Sequence, residues 1–373
     1  MIRRHLILFV LLLVMTVSTT HAQDEITYTS QPDEVAIFLN DVAFIQDNII
    51  LPAGTAVNLV LPPSSYADTI VLREGDRRVA DYHIRREADH ILVSWEIPMD
   101  EQPTREISIT YLMRGISWTP RYDMWLSDDL VNFDFFVEIN NTALRLNDVT
   151  ARLIVGRVDT AQQIDDISRI TTNQYIAGYE SNTEATSSFS GNVTIQTVYD
   201  LGILSMEAGE SYYRQMISTE LPARRLLLWN AASDQQVDVI YKIRNNTDIL
   251  LSEGIVRSYE NGLFIGSDLI ELTPIGSEGS VTVGNIQDVR VQRSVTRTGI
   301  SGWHDTLYEI TLSLANYSGE TLTIDVVDRY PVDVIDFNFS LDAERQEGNL
   351  LRWVITLEPG EEVEINYSYK AEQ

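Results

Sequence analysis

The sequence predicts an all-β protein made of antiparallel β-sandwich domains, with a small N-terminal module and a larger C-terminal sandwich region. Two observations lead to this prediction. Apolar and polar residues alternate through many short runs, as they do in strands that bury one face. Turn-forming pairs such as Asn261-Gly262 and Pro359-Gly360 separate these runs, and they are typical of hairpins.

Residues 26–112 form the predicted N-terminal module. Its strands are marked by alternating apolar residues: Val35, Ile37 and Leu39, then Val57, Leu59 and Leu61, then Ile91 to Trp95. Turn chemistry at 51–54 and 74–76 separates these runs. This spacing is typical of a small antiparallel sheet domain.

Residues 113–373 form the predicted larger region, in which one local unit recurs. A strand, an Asn-rich turn and a return strand occur around Asn140-Asn141-Thr142, Asn245-Asn246-Thr247 and Asn316-Tyr317-Ser318. These triplets match glycosylation acceptors, although asparagine is also a favoured turn residue, and we favour the turn role. Residues 159–200 are rich in Ser, Thr, Asn and Gln, and we expect a mobile polar insert there.

The stretch 107–126 marks the predicted junction between the two regions. Its apolar residues lie at odd positions before Gly115 and at even positions after it, so the strand must bend or bulge there, and glycine permits the positive φ. Gly115, Trp118, Pro120 and Tyr122 are therefore predicted to form a domain-join motif that packs the regions together. Trp125 falls on the polar phase, which predicts an exposed or covered surface aromatic.

The first 22 residues have the pattern of a signal peptide. Arg3 and Arg4 precede an apolar run from Leu6 to Val17, and Thr20-His21-Ala22 is a small-residue cleavage site. Cysteine is absent, which excludes a disulfide framework. The sequence thus predicts an exported protein that is extracellular, at the cell surface or periplasmic, with an uncleaved N-terminal anchor as an alternative.

The net charge of the chain disfavours certain classes of binding partner. The formal net charge is −28 at pH 7, which disfavours nucleic acid and anionic membrane surfaces as partners. The acidic residues are scattered along the chain, so we expect them to serve solubility, and no metal site is predicted.

The sequence contains none of the catalytic or metal-binding motifs that we considered. After the signal peptide three histidines remain, His83, His90 and His304, and none has a metal-ligand spacing. We find neither a nucleophile elbow nor a phosphate-binding loop. The densest acids, Asp325, Asp328, Asp333 and Asp336, are interpreted as strand-edge and turn residues. The sequence therefore predicts no cofactor and a non-catalytic protein.

Several segments resemble a known family. The segments YLMRGISWTPRYDMWL, VEINNTALRLNDVTARLIVG and GIVRSYENGLFIGSDLIELTPIGSEGSVTVG resemble the bacterial domain of unknown function found in mucoidy inhibitor A-like proteins. The resemblance covers residue 107 to the C-terminus, and 35–62 resembles the small β module that precedes this domain. The long coiled coil that such proteins carry between the two modules is absent from the sequence. The resemblance brings no catalytic residues to this chain.

Two functional hypotheses follow. The first is an exported, non-catalytic β-sandwich protein that interacts with a protein or glycan of the cell envelope or has a structural role there. The second is a glycan-binding or glycan-processing protein that uses the exposed aromatics Trp125 and Trp303 with nearby acids, because an aromatic face matches the apolar C–H face of a sugar ring.

Overall fold

The described part of the chain is all-β, as the sequence predicts. A computed structural model describes residues 25–99, 101–127, 130–156, 158, 197–299 and 305–372. These residues contain no α-helix and one short 3₁₀-helix, Ala67–Thr69. None of their helices is long and apolar enough to cross a membrane. The signal-peptide segment 1–22 and residues 159–196 of the polar insert lie outside the described residues.

The described residues form 25 strands. The first twelve are β1 (Glu25–Thr29), β2 (Glu34–Phe38), β3 (Val42–Pro52), β4 (Ala56–Leu61), β5 (Val71–Glu74), β6 (Arg77–Arg78), β7 (His83–Arg86), β8 (Ile91–Glu96), β9 (Thr104–Arg114), β10 (Ile116–Leu126), β11 (Leu130–Asn141) and β12 (Leu146–Val155). The others are β13 (Thr197–Met206), β14 (Glu210–Asn230), β15 (Val237–Arg244), β16 (Gly254–Glu260), β17 (Leu263–Ile270), β18 (Glu278–Ile286), β19 (Val289–Gly299), β20 (Asp305–Asn316), β21 (Leu322–Arg329), β22 (Val334–Phe339), β23 (Glu344–Gln346), β24 (Leu350–Leu357) and β25 (Glu362–Glu372).

These strands form four sheets. The N-terminal sheet has the order β1-β4-β8-β7, and the seven-stranded sheet has the order β13-β12-β2-β3-β9-β5-β6. The ten-stranded sheet runs β17-β16-β10-β11-β14-β21-β24-β23, with β15 on β14 and β18 on β15. The C-terminal sheet has the order β19-β20-β25-β22.

The seven-stranded sheet crosses the predicted boundary between residues 112 and 113. Strands β2, β3, β5 and β6 precede that boundary, β9 spans it, and β12 and β13 follow it. The two groups meet where β12 pairs in parallel with β2, with Thr150 opposite Glu34. The N-terminal segment thus contributes strands to a sheet that the larger region also builds.

Most strand pairs are antiparallel, but four of the described pairs are parallel: β1 with β4, β2 with β12, β10 with β16, and β14 with β21. Parallel neighbours require a crossover connection, so they come from distant parts of the chain. The last three of these pairings join segments that lie about 100 or more residues apart in the sequence.

Two large cores lie between the sheets of the described residues. The first combines residues from the N-terminal, seven-stranded and ten-stranded sheets, among them Leu59, Ile45, Tyr111 and Phe133. The second lies against the C-terminal sheet and contains Trp229. The 21-residue strand β14 serves both cores, because Leu221 belongs to the first and Trp229 to the second.

A buried carboxylate also connects the ten-stranded sheet to the C-terminal sheet. The carboxylate of Asp328 on β21 is inaccessible to solvent. It accepts hydrogen bonds from Nε of Arg293 on β19 at 2.8 Å and from the hydroxyl of Tyr367 on β25 at 2.7 Å. A buried carboxylate is tolerated when a cation and a donor satisfy it in this way.

Each of the three recurrent turns contains one fully buried asparagine. Asn245 donates to the carbonyl oxygens of Ile249 and Thr273, both at 3.0 Å, and accepts from the backbone N–H of Thr247 at 3.1 Å. Asn316 makes the corresponding bonds in the third turn. In the first turn the buried residue is Asn141, the second asparagine of its triplet. The buried asparagine side chains therefore stabilise the three turns through hydrogen bonds to the backbone.

Candidate functional site

Gly115 lies between β9 of the seven-stranded sheet and β10 of the ten-stranded sheet, so the chain passes from one sheet to the other at this residue. Its φ is +97°, a conformation that side-chain-bearing residues rarely adopt. A Cβ atom there would lie 2.7 Å from Cβ of Ala143. Glycine is required for both the backbone turn and the close approach of the β11–β12 connection.

Trp118 and Tyr122 point from β10 into the first core, and both are buried. Nε1 of Trp118 donates to the carbonyl oxygen of Ile154 on β12 at 3.1 Å, and its ring meets Tyr199 of β13 edge to face at 5.7 Å. The hydroxyl of Tyr122 donates to the carbonyl oxygen of Ser252 at 2.8 Å. The Trp118 contacts join the ten-stranded sheet to the seven-stranded sheet.

Pro120 lies in β10 opposite Val137 of β11, and it has no partner residue on β16, whose ladder begins at Arg121. Proline has no N–H to give to a ladder, so it fits a position where one neighbouring strand has not yet started. Gly254, at the start of β16, allows the close approach, because a Cβ there would lie 2.8 Å from the carbonyl oxygen of Pro120.

Trp125 lies on the opposite face of β10, which we call the outer face because it turns away from the first core. Its side chain is 36% exposed. The ring stacks on Tyr259 of β16 at 5.3 Å and 18°, and Tyr259 meets Phe264 of β17 at 5.8 Å. These three residues form an aromatic row across three adjacent strands. Trp303, the other predicted surface aromatic, lies outside the described residues.

A charged row lies beside the aromatic row on the outer face. Asp123 accepts two hydrogen bonds from Arg257, at 2.6 and 2.8 Å, which raise the pKa of Arg257 above its ordinary value. Glu138 accepts from Arg121 and from the hydroxyl of Tyr213. Burial alone would raise the pKa of Glu138, but these bonds outweigh burial and lower it. The hydrogen bonds hold both carboxylates in fixed positions, and those to Glu138 favour its ionised form.

The tip of the β16–β17 hairpin carries exposed apolar side chains at the end of the aromatic row. Leu263 is 70% exposed and Phe264 is 59% exposed, directly after the Asn261-Gly262 turn. Further along β17, Asp268 accepts a hydrogen bond at 2.6 Å from the backbone N–H of Thr282 on β18 and so connects the two strands. The exposed tip thus lies beyond the part of the hairpin that β18 covers.

A first cleft of about 560 Å³ lies between the N-terminal strands and the β11–β12 connection. Its polar lining residues are largely engaged with neighbours: Ser30 contacts Asp47 at 3.0 Å, His90 contacts Asp89 at 2.7 Å, and Arg145 contacts Glu207 at 3.1 Å. These bonds occupy the side chains with neighbouring residues of the protein. We assign them a structural role.

Asp47 lies behind this cleft and is almost inaccessible to solvent. Its carboxylate accepts hydrogen bonds from the hydroxyls of Tyr28 at 3.1 Å and Ser30 at 3.0 Å and from the backbone N–H of Gln31 at 2.8 Å. Burial nevertheless raises the pKa of Asp47, since the three bonds offset only part of the desolvation cost. This network fastens β1 and the following loop to β3.

The residues that sequence analysis considered for metal binding or catalysis are separated in the structure. His83 is exposed on β7, His90 pairs with Asp89, and His304 lies outside the described residues. Within the described ranges, no group of three or more His, Cys, Asp or Glu side chains is arranged to hold a metal ion. The acids near 330 are paired one by one: Asp325 with Arg352, Asp328 with Arg293, and Asp336 with Lys370.

Sequence comparison places the larger region in a family. Residues 107–373 match the model of a domain of unknown function, DUF4139. The chain belongs to this family. The matched range begins within β9 and includes the join motif, the outer face, part of the first core and all of the second core, and it agrees with the extent that the sequence resemblance predicts. No curated protein matches the chain.

Sequence analysis missed Tyr259 and Phe264 as partners of Trp125. They lie more than 130 positions along the chain, and a parallel pairing between β10 and β16 brings them together. The available signal was the aromatic pair around Asn261-Gly262, which marks a hairpin with an aromatic residue on each arm.

Proposed function

We propose that this DUF4139 protein is an exported, non-catalytic interaction protein of the cell envelope or extracellular space that binds a protein partner through the outer face. The observation that carries the proposal is the aromatic row, Trp125, Tyr259 and Phe264, which ends at the exposed tip of the hairpin, where Leu263 is also exposed. Exposed aromatic and aliphatic side chains grouped beside charged ones are typical of protein-binding surfaces.

The geometry of the aromatic row favours a protein over a sugar. One face of the Tyr259 ring is stacked on the ring of Trp125, and the Tyr259 ring contacts Phe264 edge to face. A sugar needs a free ring face for stacking, whereas an apolar side chain of a protein can pack against ring edges as well. The Asp123–Arg257 pair next to the row adds a fixed hydrogen-bonding surface of the kind that gives specificity at the rim of an interface.

The other parts of the proposal rest on the sequence. Export is supported by the signal-peptide pattern of residues 1–22, and the non-catalytic assignment by the lack of a nucleophile elbow or phosphate loop in the sequence. A relation to mucoidy inhibitor A-like proteins also belongs to the proposal, and the Trp-x-Pro-x-Tyr cluster at 118–122 supports it.

Partner capture with surface variants tests this function. The double variant Leu263→Ser/Phe264→Ser removes the apolar tip, and Ile50→Ser is the matched control, because Ile50 is 73% exposed on β3 in a different sheet. We expect one envelope or extracellular protein to be retained by wild type and by Ile50→Ser and lost from the double variant. Equal retention by all three proteins contradicts the proposal.

Glycan binding at Trp125 is the second candidate function. The observation that favours it is the partial exposure of the Trp125 ring, whose second face is not stacked on Tyr259. A glycan array distinguishes the two functions: glycan binding that disappears in Trp125→Ala supports the second candidate, while an array without signal excludes it.

A further inference from the structure

A second cleft, of about 480 Å³, lies where β15 and β18 of the ten-stranded sheet meet the C-terminal sheet. We call it the glutamine cleft, because Gln235, Gln236, Gln287 and Gln292 all line it. Its volume falls in the range of small-ligand sites, roughly 300–1,000 Å³. It shares no lining residue with the outer face.

The amide groups of the glutamine cleft are available for a ligand. No hydrogen bond joins the side chains of Gln235, Gln236 and Gln292 to any other residue in the described ranges, while Gln287 donates to Asn285. Each primary amide offers two N–H donors and one acceptor oxygen. A ligand with many hydroxyl groups, each both donor and acceptor, matches such a lining.

The charges around the cleft favour an uncharged ligand. Glu362 and Glu364 line the C-terminal side, and Arg290 lines the opposite side. Together these three residues bring two negative charges and one positive charge, within a strongly acidic chain. A polyanion would be repelled, whereas a neutral ligand can use the charged groups as hydrogen-bond partners.

Tyr317 is the aromatic residue among those that line this cleft. Tyr317 is 56% exposed, and the guanidinium carbon of Arg290 lies 5.2 Å from the ring centroid, which occupies one face. Its hydroxyl donates to Glu362 at 3.3 Å and its backbone N–H to the carbonyl oxygen of Asp288 at 2.7 Å. The buried side chain of Asn316 fixes the turn. The other face of the ring remains for a ligand.

We propose that the glutamine cleft binds a short, uncharged oligosaccharide. One sugar ring stacks its C–H face on the free face of Tyr317, and its hydroxyl groups hydrogen-bond to the glutamine amides and to Glu362. The proposal is independent of the proposed function, because the outer face and the glutamine cleft have no residue in common.

Isothermal titration of the full chain with four neutral trisaccharides tests the proposal: maltotriose, cellotriose, mannotriose and triacetylchitotriose. We expect at least one to bind at millimolar or tighter concentration, and anionic trigalacturonic acid to bind more weakly. Tyr317→Ala should weaken binding about tenfold or more, while Tyr317→Phe, which keeps the ring, should stay within about threefold of wild type.

The controls separate this site from the outer face. Tyr213→Ala changes an exposed tyrosine of the outer face and should leave saccharide binding unchanged. Gln236→Ala should weaken binding even if Tyr317→Ala fails to fold. The proposal is overturned if none of the four trisaccharides binds, or if a folded Tyr317→Ala variant binds as wild type does. Equal partner capture by wild type and the Leu263→Ser/Phe264→Ser variant, with saccharide binding as expected, would refute the proposed function alone.

Discussion

Trp118 of β10 donates its indole N–H to the carbonyl oxygen of Ile154 on β12 at 3.1 Å. This bond joins the ten-stranded sheet, which carries the outer face, to the seven-stranded sheet. The side chain that makes it is buried, so the contact is protected from competing water. Trp118 therefore supports β10, whose opposite side forms part of the outer face, from within the first core.

The first prediction concerns this contact. Trp118→Phe removes the indole N–H and part of the buried ring, which should lower the free energy of unfolding by about 2 kcal/mol. Trp125→Phe is the control, because Trp125 is 36% exposed and the smaller ring can still stack on Tyr259. We expect a loss below about 0.5 kcal/mol for the control. Urea unfolding followed by circular dichroism measures both, and equal losses would contradict the role of Trp118.

The second prediction concerns the close approach at Gly115. Gly115→Ala places a methyl group 2.7 Å from Cβ of Ala143 at a φ of +97°, whereas Gly209→Ala imposes similar backbone strain at +91° with no atom within 4 Å. The difference between the two variants isolates the steric contact. We expect Gly115→Ala to be less stable than Gly209→Ala by about 1–3 kcal/mol in thermal or urea unfolding. Equal stability of the two variants would contradict a destabilising contact between residue 115 and Ala143.

The third prediction concerns the buried asparagines. Asn245→Ala leaves the carbonyl oxygens of Ile249 and Thr273 without their side-chain donor and should cost about 2–3 kcal/mol of unfolding free energy. Asn246 is its exposed neighbour, and Asn246→Ala should change stability by less than about 0.5 kcal/mol. Denaturant titration of both variants checks this. A similar cost at both positions would show that the turn, and not the buried side chain, matters.

The fourth prediction concerns pH. Burial raises the pKa of folded Asp47 above its ordinary value of 3.8, so above pH 3.8 the folded state binds more protons at this group than the unfolded state does. Its contribution to stability is therefore present below pH 3.8 and is lost as pH rises through the raised, folded-state pKa.

The variant Asp47→Asn removes this titration and can donate its amide N–H to the hydroxyl of Tyr28, which accepts in place of donating. We expect wild type to lose stability relative to Asp47→Asn between pH 4 and pH 7. Urea unfolding of both proteins at the two pH values measures the difference. A difference that is constant, or that grows in favour of wild type as pH rises, would contradict the raised pKa.

Local sequence patterns predict the local part of this fold. The alternation at Val131, Phe133, Phe135 and Val137 predicts β11 and its buried face, and Asn261-Gly262 predicts the β16–β17 hairpin. Both signals depend on neighbouring residues, whose spacing sets which side chains face inward. The phase change at Gly115 likewise reflects the local turn between β9 and β10.

The partners of distant strands do not follow from such patterns. Nothing near Glu34 specifies that β2 pairs in parallel with β12, and nothing near Trp125 specifies Tyr259. These pairings depend on long-range packing of whole sheets, which alternation alone leaves undetermined. For the same reason, the outer face could be predicted only as one exposed tryptophan, and the glutamine cleft not at all, since its four glutamines come from two distant segments, 235–236 and 287–292.

Site-specific photocrosslinking at Phe264 tests the central claim, that the outer face binds a protein partner, most directly. A photoreactive benzoylphenylalanine replaces Phe264 in the exporting cell, and the same group at the partly exposed Phe44 of β3 is the control. We predict one discrete crosslinked protein at position 264 that is absent at position 44. No adduct at position 264, or the same adducts at both positions, would contradict the account.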